Sequence, residues 1–100
     1  MNLEYKAKDI KEIENTKNVS IEEVISNPTI SNLELLLMKG LNKPRKEIED
    51  EIDGYIKEIG RDELLVKIVE AMVDGGFLGK PLLATMKEYL KKANEITTKF

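Results

Sequence analysis

One hundred residues fit one hydrophobic core, since a second domain would need its own buried set. The chain has no Cys and no His, which removes disulfide scaffolds, thiolate metal sites, the common zinc ligands and the usual general base near neutral pH; only carboxylates, Lys, Tyr and hydroxyls are left for chemistry, so an enzyme is not expected. Sixteen Lys and Arg against nineteen Asp and Glu give a net charge of −3, the wrong sign for a dedicated duplex binder.

Leu3, Tyr5 and Ala7 alternate with polar residues, so a short extended segment can open the chain. From about Ala7 to Thr16 the pattern becomes helical, with Ile10 and Ile13 inward and Asn18 suited to a left-handed stop. Ser20-Ile21-Glu22-Glu23 reads as a capping box that starts a second short helix. Ile21, Val24 and Ile25 face inward, and Asn27-Pro28 ends the helix because Pro disfavours helical geometry in the residue before it.

A second capping box, Ser31-Asn32-Leu33-Glu34, predicts the start of a helix carrying Leu33, Leu35, Leu36, Leu37 and Met38, with Gly40 as its C-cap. Apolar on most sides, that helix belongs at the centre of the core. Pro44 opens the next helix, and Ile48, Ile52, Tyr55, Ile56 and Ile59 recur at three- and four-residue steps until Gly60. Asp62 is the expected cap of the following helix, whose stripe of Leu64, Leu65, Ile68, Val69, Met72 and Val73 stops at Asp74-Gly75-Gly76. After the connector Phe77-Leu78-Gly79-Lys80, Pro81 permits a last helix with Leu82, Leu83, Met86, Tyr89, Leu90, Ala93 and Ile96, fraying over 97–100. The expected fold is all-α, a single bundle of five to six short helices.

No motif carries catalysis or metal binding. Glu47, Glu49, Asp50, Glu51 and Asp53 lack EF-hand spacing and read as a solvated helix face, on which Glu47 and Glu51, four apart, pair loosely with Arg45, Lys46 or Lys57. Lys39, Lys43, Arg45 and Lys46 cluster without interleaved aromatics or a preceding strand, which argues against nucleic acid or nucleotide. Gly75-Gly76-Phe77-Leu78-Gly79-Lys80 has a Lys after Gly but neither the spacing nor the following Ser or Thr of a phosphate loop. The longest apolar run, Leu35 to Met38, falls far short of the roughly 20 residues of a membrane span, and no signal segment opens the chain, so a cytosolic protein is expected. Expected cofactors and metals are none.

The apolar set of the last helix, with Phe77 and Leu78, exceeds what a minimal bundle hides. Gly75-Gly76 and Gly79-Lys80-Pro81 bracket Phe77 and Leu78 as a hinge. The working surface is therefore expected on Phe77, Leu78, Leu82, Leu83, Met86, Tyr89 and Leu90, as a grip for a protein partner.

From about residue 5 to 80 the string resembles the tail assembly chaperones of long-tailed, non-contractile bacteriophages, in particular prophages of low-GC Gram-positive hosts. The likeness lies in the opening helix YKAKDIKEIENTKN, in the short helix, Asn-Pro break and Leu-rich helix of VSIEEVISNPTISNLELLLMKGL, and in EIEDEIDGYIKEIGRDELLVKIVEAMVDGGFLGK. There an acidic helix precedes one that ends in Gly-Phe, as Gly76-Phe77 does. The resemblance implies a non-enzymatic helical protein in the bacterial host cytoplasm that coats the long, apolar tape measure protein until the tail tube polymerises around it. Its implied partners are the tape measure protein, further copies of itself, the tail tube protein and a frameshifted longer form, for which the Lys91-Lys92 pair marks a candidate slippery site. The alternative from another class is a small helical regulatory or immunity-type protein that binds one globular target.

Overall fold

The computed structural model describes the backbone of residues 1–98 and the side chains of residues 1–91. Within it the chain forms six helices and no strand: α1 (Ala7–Lys17), α2 (Ile21–Ser26), α3 (Ile30–Leu41), α4 (Arg45–Ile59), α5 (Arg61–Asp74) and α6 (Lys80–Thr98). This is the small all-α bundle expected from the periodicity.

The breaks have local causes. Asn18 ends α1 with φ 56°, a left-handed conformation that Asn tolerates. Ser20 caps α2, its hydroxyl accepting the Glu23 amide, while the Glu14 carboxylate takes the Ile21 amide at 2.8 Å and ties the two helices together. The cap of α3 lies two residues before the expected Ser31. It is Thr29, with Oγ1 accepting the Asn32 amide at 3.1 Å, because Pro28 has already turned the chain and left Thr29 extended at the helix mouth. Asn32 is thereby free to turn inward, and its side-chain amide donates to the Asn27 carbonyl at 2.8 Å, fixing the α2–α3 corner.

Gly40 is not the C-cap of α3. The helix continues to Leu41 and closes on Asn42 at φ 55°, whose amide donates to the Met38 carbonyl. Gly40 serves a close approach instead: a Cβ there would stand 2.6 Å from Leu3 Cδ2 and 2.6 Å from the Tyr5 hydroxyl. The extended N-terminal segment crosses α3 at this point, with the Glu4 amide donating to the Gly40 carbonyl at 2.9 Å and the Tyr5 hydroxyl donating to the Leu36 carbonyl at 2.6 Å. Burial, and secondarily the charge of Asp9, pushes the Tyr5 hydroxyl far above its ordinary pKa.

Pro44 caps α4 from just outside rather than opening its first turn. Gly60, at φ 84°, both ends α4 and opens α5, so Asp62 sits in the first turn of α5 instead of capping it. One residue between two helices leaves no room for a separate Asp cap.

α3 occupies the centre, packed against α1, α4 and α5. Leu33, Leu36 and Leu37 are fully buried, together with Ile13, Ile48, Leu64, Ile68 and Met72. Each such side chain contributes about 1.5–3 kcal/mol of transfer free energy. The acidic run of α4 lies on its outer face except Glu51, which is half-buried and accepts from Lys43 at 3.0 Å and from the Tyr55 hydroxyl at 2.9 Å. Its partner is thus Lys43 rather than Arg45, Lys46 or Lys57. The basic cluster is also partly neutralised, since Lys39 pairs with Glu12 across α3 and α1.

Candidate functional site

The connector after α5 is held in place. The Gly76 amide donates to Val73 at 3.0 Å and the Phe77 amide to Met72 at 2.9 Å, which wraps the end of α5 with Gly76 at φ 84°. Leu78 is buried in the core, and Phe77 is half-buried against it. The expected hinge is therefore an anchor: two apolar side chains flanked by glycines leave water for the core.

From that anchor α6 runs back along α5, tied to it by an ion pair of 3.0 Å between Lys87 and Glu70. Leu83 and Met86 lean on the core, half-buried. Leu82 remains 37% exposed and Tyr89 72% exposed, large apolar side chains that the bundle itself does not cover.

Between α6 and α2, over the beginning of α5, lies an open groove of about 580 Å³. α6 contributes Leu82, Thr85, Met86, Tyr89 and Leu90; α2 and its exit contribute Glu22, Ile25, Ser26 and Pro28; α5 supplies Asp62 and Leu65. The Thr85 hydroxyl is spent on the Pro81 carbonyl at 2.9 Å. Glu22 and Asp62 place carboxylates at the rim of an otherwise apolar depression. Such a surface can hold an apolar segment by burial and select its flanking charges.

The structure therefore divides the seven residues expected on the working surface. Leu82, Met86, Tyr89 and Leu90 come together in the groove, whereas Leu78, Phe77 and Leu83 hold α6 to the bundle. The side chains of Ala93 and Ile96 lie outside the described residues, as does the backbone of 99–100; Thr97 and Thr98 continue α6. Ile25, Pro28 and Leu65, which complete the groove, carried no sequence signal beyond being apolar, and only the tertiary fold brings them opposite α6.

Among the described residues no three His, Cys, Asp or Glu side chains converge in a way that could hold a metal ion, and no helix is long and apolar enough to cross a membrane. A second depression, of about 240 Å³ and lined by Asn2, Glu4, Lys6, Lys8, Asp9, Lys39 and Leu41 among others, mixes both charge signs over a mostly polar lining. No protein-family model, no curated protein and no solved structure matches the chain.

Proposed function

We propose that this chain is a non-enzymatic tail assembly chaperone of a long-tailed bacteriophage or prophage, which in the host cytoplasm holds apolar helical stretches of the tape measure protein until the tail tube forms around them. The observation that carries this reading is the α2–α5–α6 groove. Its apolar lining, soft Met86 and flanking helices have the form of helix-in-groove recognition, in which an amphipathic helix lays its apolar face between two others. The sequence resemblance over residues 5 to 80 names the target, and the lack of His and Cys agrees with a role that needs no chemistry. The groove wall formed by α6 lies beyond the stretch that carries the resemblance, so its assignment rests on packing alone.

The test begins with the neighbouring genes. A very long, helix-rich reading frame beside a tail tube gene supplies the candidate target, which is then expressed with and without this chain. The expected result is a target that is insoluble alone and co-purifies in solution with this protein. A target whose solubility is unchanged, or a gene sitting alone beside a toxin or repressor, overturns the proposal and favours a small regulatory or immunity-type protein.

A further inference from the structure

The groove between α2, α5 and α6 has an apolar floor and a rim of one charge sign. Ile25 and Leu65 are buried beneath it, and Met86 gives one side to the core and another to the opening, so the surface left to a partner is mainly Leu82 and Tyr89. The charged side chains that line it are Glu22 and Asp62, and no Lys or Arg joins them. Elsewhere the bundle pairs acids with lysines, Glu12 with Lys39, Glu51 with Lys43 and Glu70 with Lys87; among the described residues neither Glu22 nor Asp62 has an ion-pair partner. Each stands in the first turn of its helix, where an acid is favoured on its own account. What marks the two is their shared place beside an apolar opening.

Size and chemistry narrow the occupant. The α6 wall runs from Leu82 to Leu90, which at 1.5 Å per residue is about 12 Å, or roughly two helical turns. A helix lying along it presents apolar side chains at three- and four-residue steps, and the polar positions bordering that stripe come to the rim. There a Lys or Arg meets a carboxylate, and the exposed ring of Tyr89 attracts the same cations. A helix bordered by acids meets two like charges instead.

We propose that the groove takes an amphipathic helix whose apolar stripe is bordered by Lys or Arg, and that Glu22 and Asp62 select it over a helix bordered by acids. The selection rests on the reading of the groove as the seat of a tape measure helix, and it specifies which stretches of that target are held. Rim charges act through the rate of encounter and the rejection of wrong partners, so the preference weakens as salt screens it.

Three fluorescein-labelled helical peptides sharing one Leu stripe, bordered by Lys and Arg, by Gln or by Glu, test this by anisotropy against the full chain at about 20 mM and about 0.5 M salt. At low salt the expected order of affinity is basic, neutral, acidic, with at least tenfold between first and last and a smaller gap at high salt. Glu22→Gln with Asp62→Asn should remove most of that gap, with the neutral peptide's affinity and the far-UV spectrum unchanged, because both carboxylates are exposed. Glu49→Gln with Asp53→Asn, the same change in net charge on exposed positions of α4, should keep the gap. No gap, a gap that survives the groove substitutions, or one that shrinks equally with the α4 substitutions overturns the proposal. Binding of no peptide by a chain that sediments at twice its 11.4 kDa gives the groove to a second copy and overturns it as well. The peptides are not the tape measure protein, so a chain that shows the preference but leaves that target insoluble refutes the chaperone reading alone. A chain that solubilises the target equally well with Glu22→Gln and Asp62→Asn refutes the charge selection alone.

Discussion

Substituting Ala for Gly should have opposite signs at two helical positions of this chain. In α4, Gly54 has nothing within 4 Å of where a Cβ would stand, so Gly54→Ala gains the ordinary helix preference of about 0.5–1 kcal/mol. In α3, a Cβ on Gly40 would meet Leu3 Cδ2 at 2.6 Å, the Tyr5 hydroxyl at 2.6 Å and Tyr5 Cζ at 2.7 Å. The Leu3 methyl ends a flexible, half-buried side chain and can turn aside. The Tyr5 ring cannot, being 4% exposed and fastened by its hydroxyl to the Leu36 carbonyl. Moving it loses a hydrogen bond of about 1 kcal/mol and strains packing by about 1–3 kcal/mol, which outweighs the helix gain of about 1 kcal/mol. Gly40→Ala should therefore be destabilised by about 1–3 kcal/mol. In a domain of this size each kcal/mol moves Tm by roughly 4–8 °C, so the two variants should melt on opposite sides of the wild type. Thermal and urea unfolding followed by far-UV circular dichroism measure both. If Gly40→Ala is as stable as the wild type or more so, the N-terminal segment does not cross α3 as described.

Three further outcomes follow from the same packing. Because the native state holds the Tyr5 proton beyond its unfolded value of about 10, stability should be flat below that pH and fall above it, by up to about 1.4 kcal/mol per pH unit from this group; Tyr5→Phe should lose about 1 kcal/mol at neutral pH and flatten the alkaline fall, as read by urea melts across the range. The hydrogen bond from Lys43, and after it that from Tyr55, holds the Glu51 carboxyl below the usual carboxylate range, so Glu51→Gln should lower Tm slightly near neutral pH, with the difference vanishing as acid protonates the wild-type group. Leu83→Asp should cost about 2–3 kcal/mol by placing a charge against the core, whereas Leu82→Asp, one residue away on the exposed side of α6, should stay within about 0.5 kcal/mol; equal losses in denaturant melts would contradict the packing of Leu83, and not Leu82, against the core.

The helices were legible where apolar spacing and a stop residue agreed. Ile48, Ile52 and Gly60 delimit α4 in both readings, and Asn18 stops α1 as its tolerance of left-handed geometry implies. The reading failed where a residue had two physical uses. Gly40 follows a run of leucines as a C-cap glycine would, yet its missing Cβ admits Tyr5, a contact 35 positions away in the chain that no local pattern announces. Asp62 and Ser31 are good capping residues that lost to Gly60 and Thr29, because a one-residue link and a preceding Pro fixed the helix mouths earlier. The candidate site was half visible. The exposed wall on α6 showed as surplus apolar surface, but Leu78 could not be told from its exposed neighbours by pattern, since only the folded core buries it, and Ile25, Pro28 and Leu65 join the groove only through the tertiary arrangement.

The central claim is that the α2–α5–α6 groove seats an apolar helix of a tail protein. A binding titration of the co-expressed target's helical segment against wild type, Leu82→Glu and Glu49→Gln tests it most directly, since Leu82 lines the groove and Glu49 lies on the outer face of α4. The expected result is saturable binding by wild type and Glu49→Gln and a loss of at least tenfold in affinity for Leu82→Glu, with all three chains equally helical. Equal affinity for all three, or none for any, would contradict it.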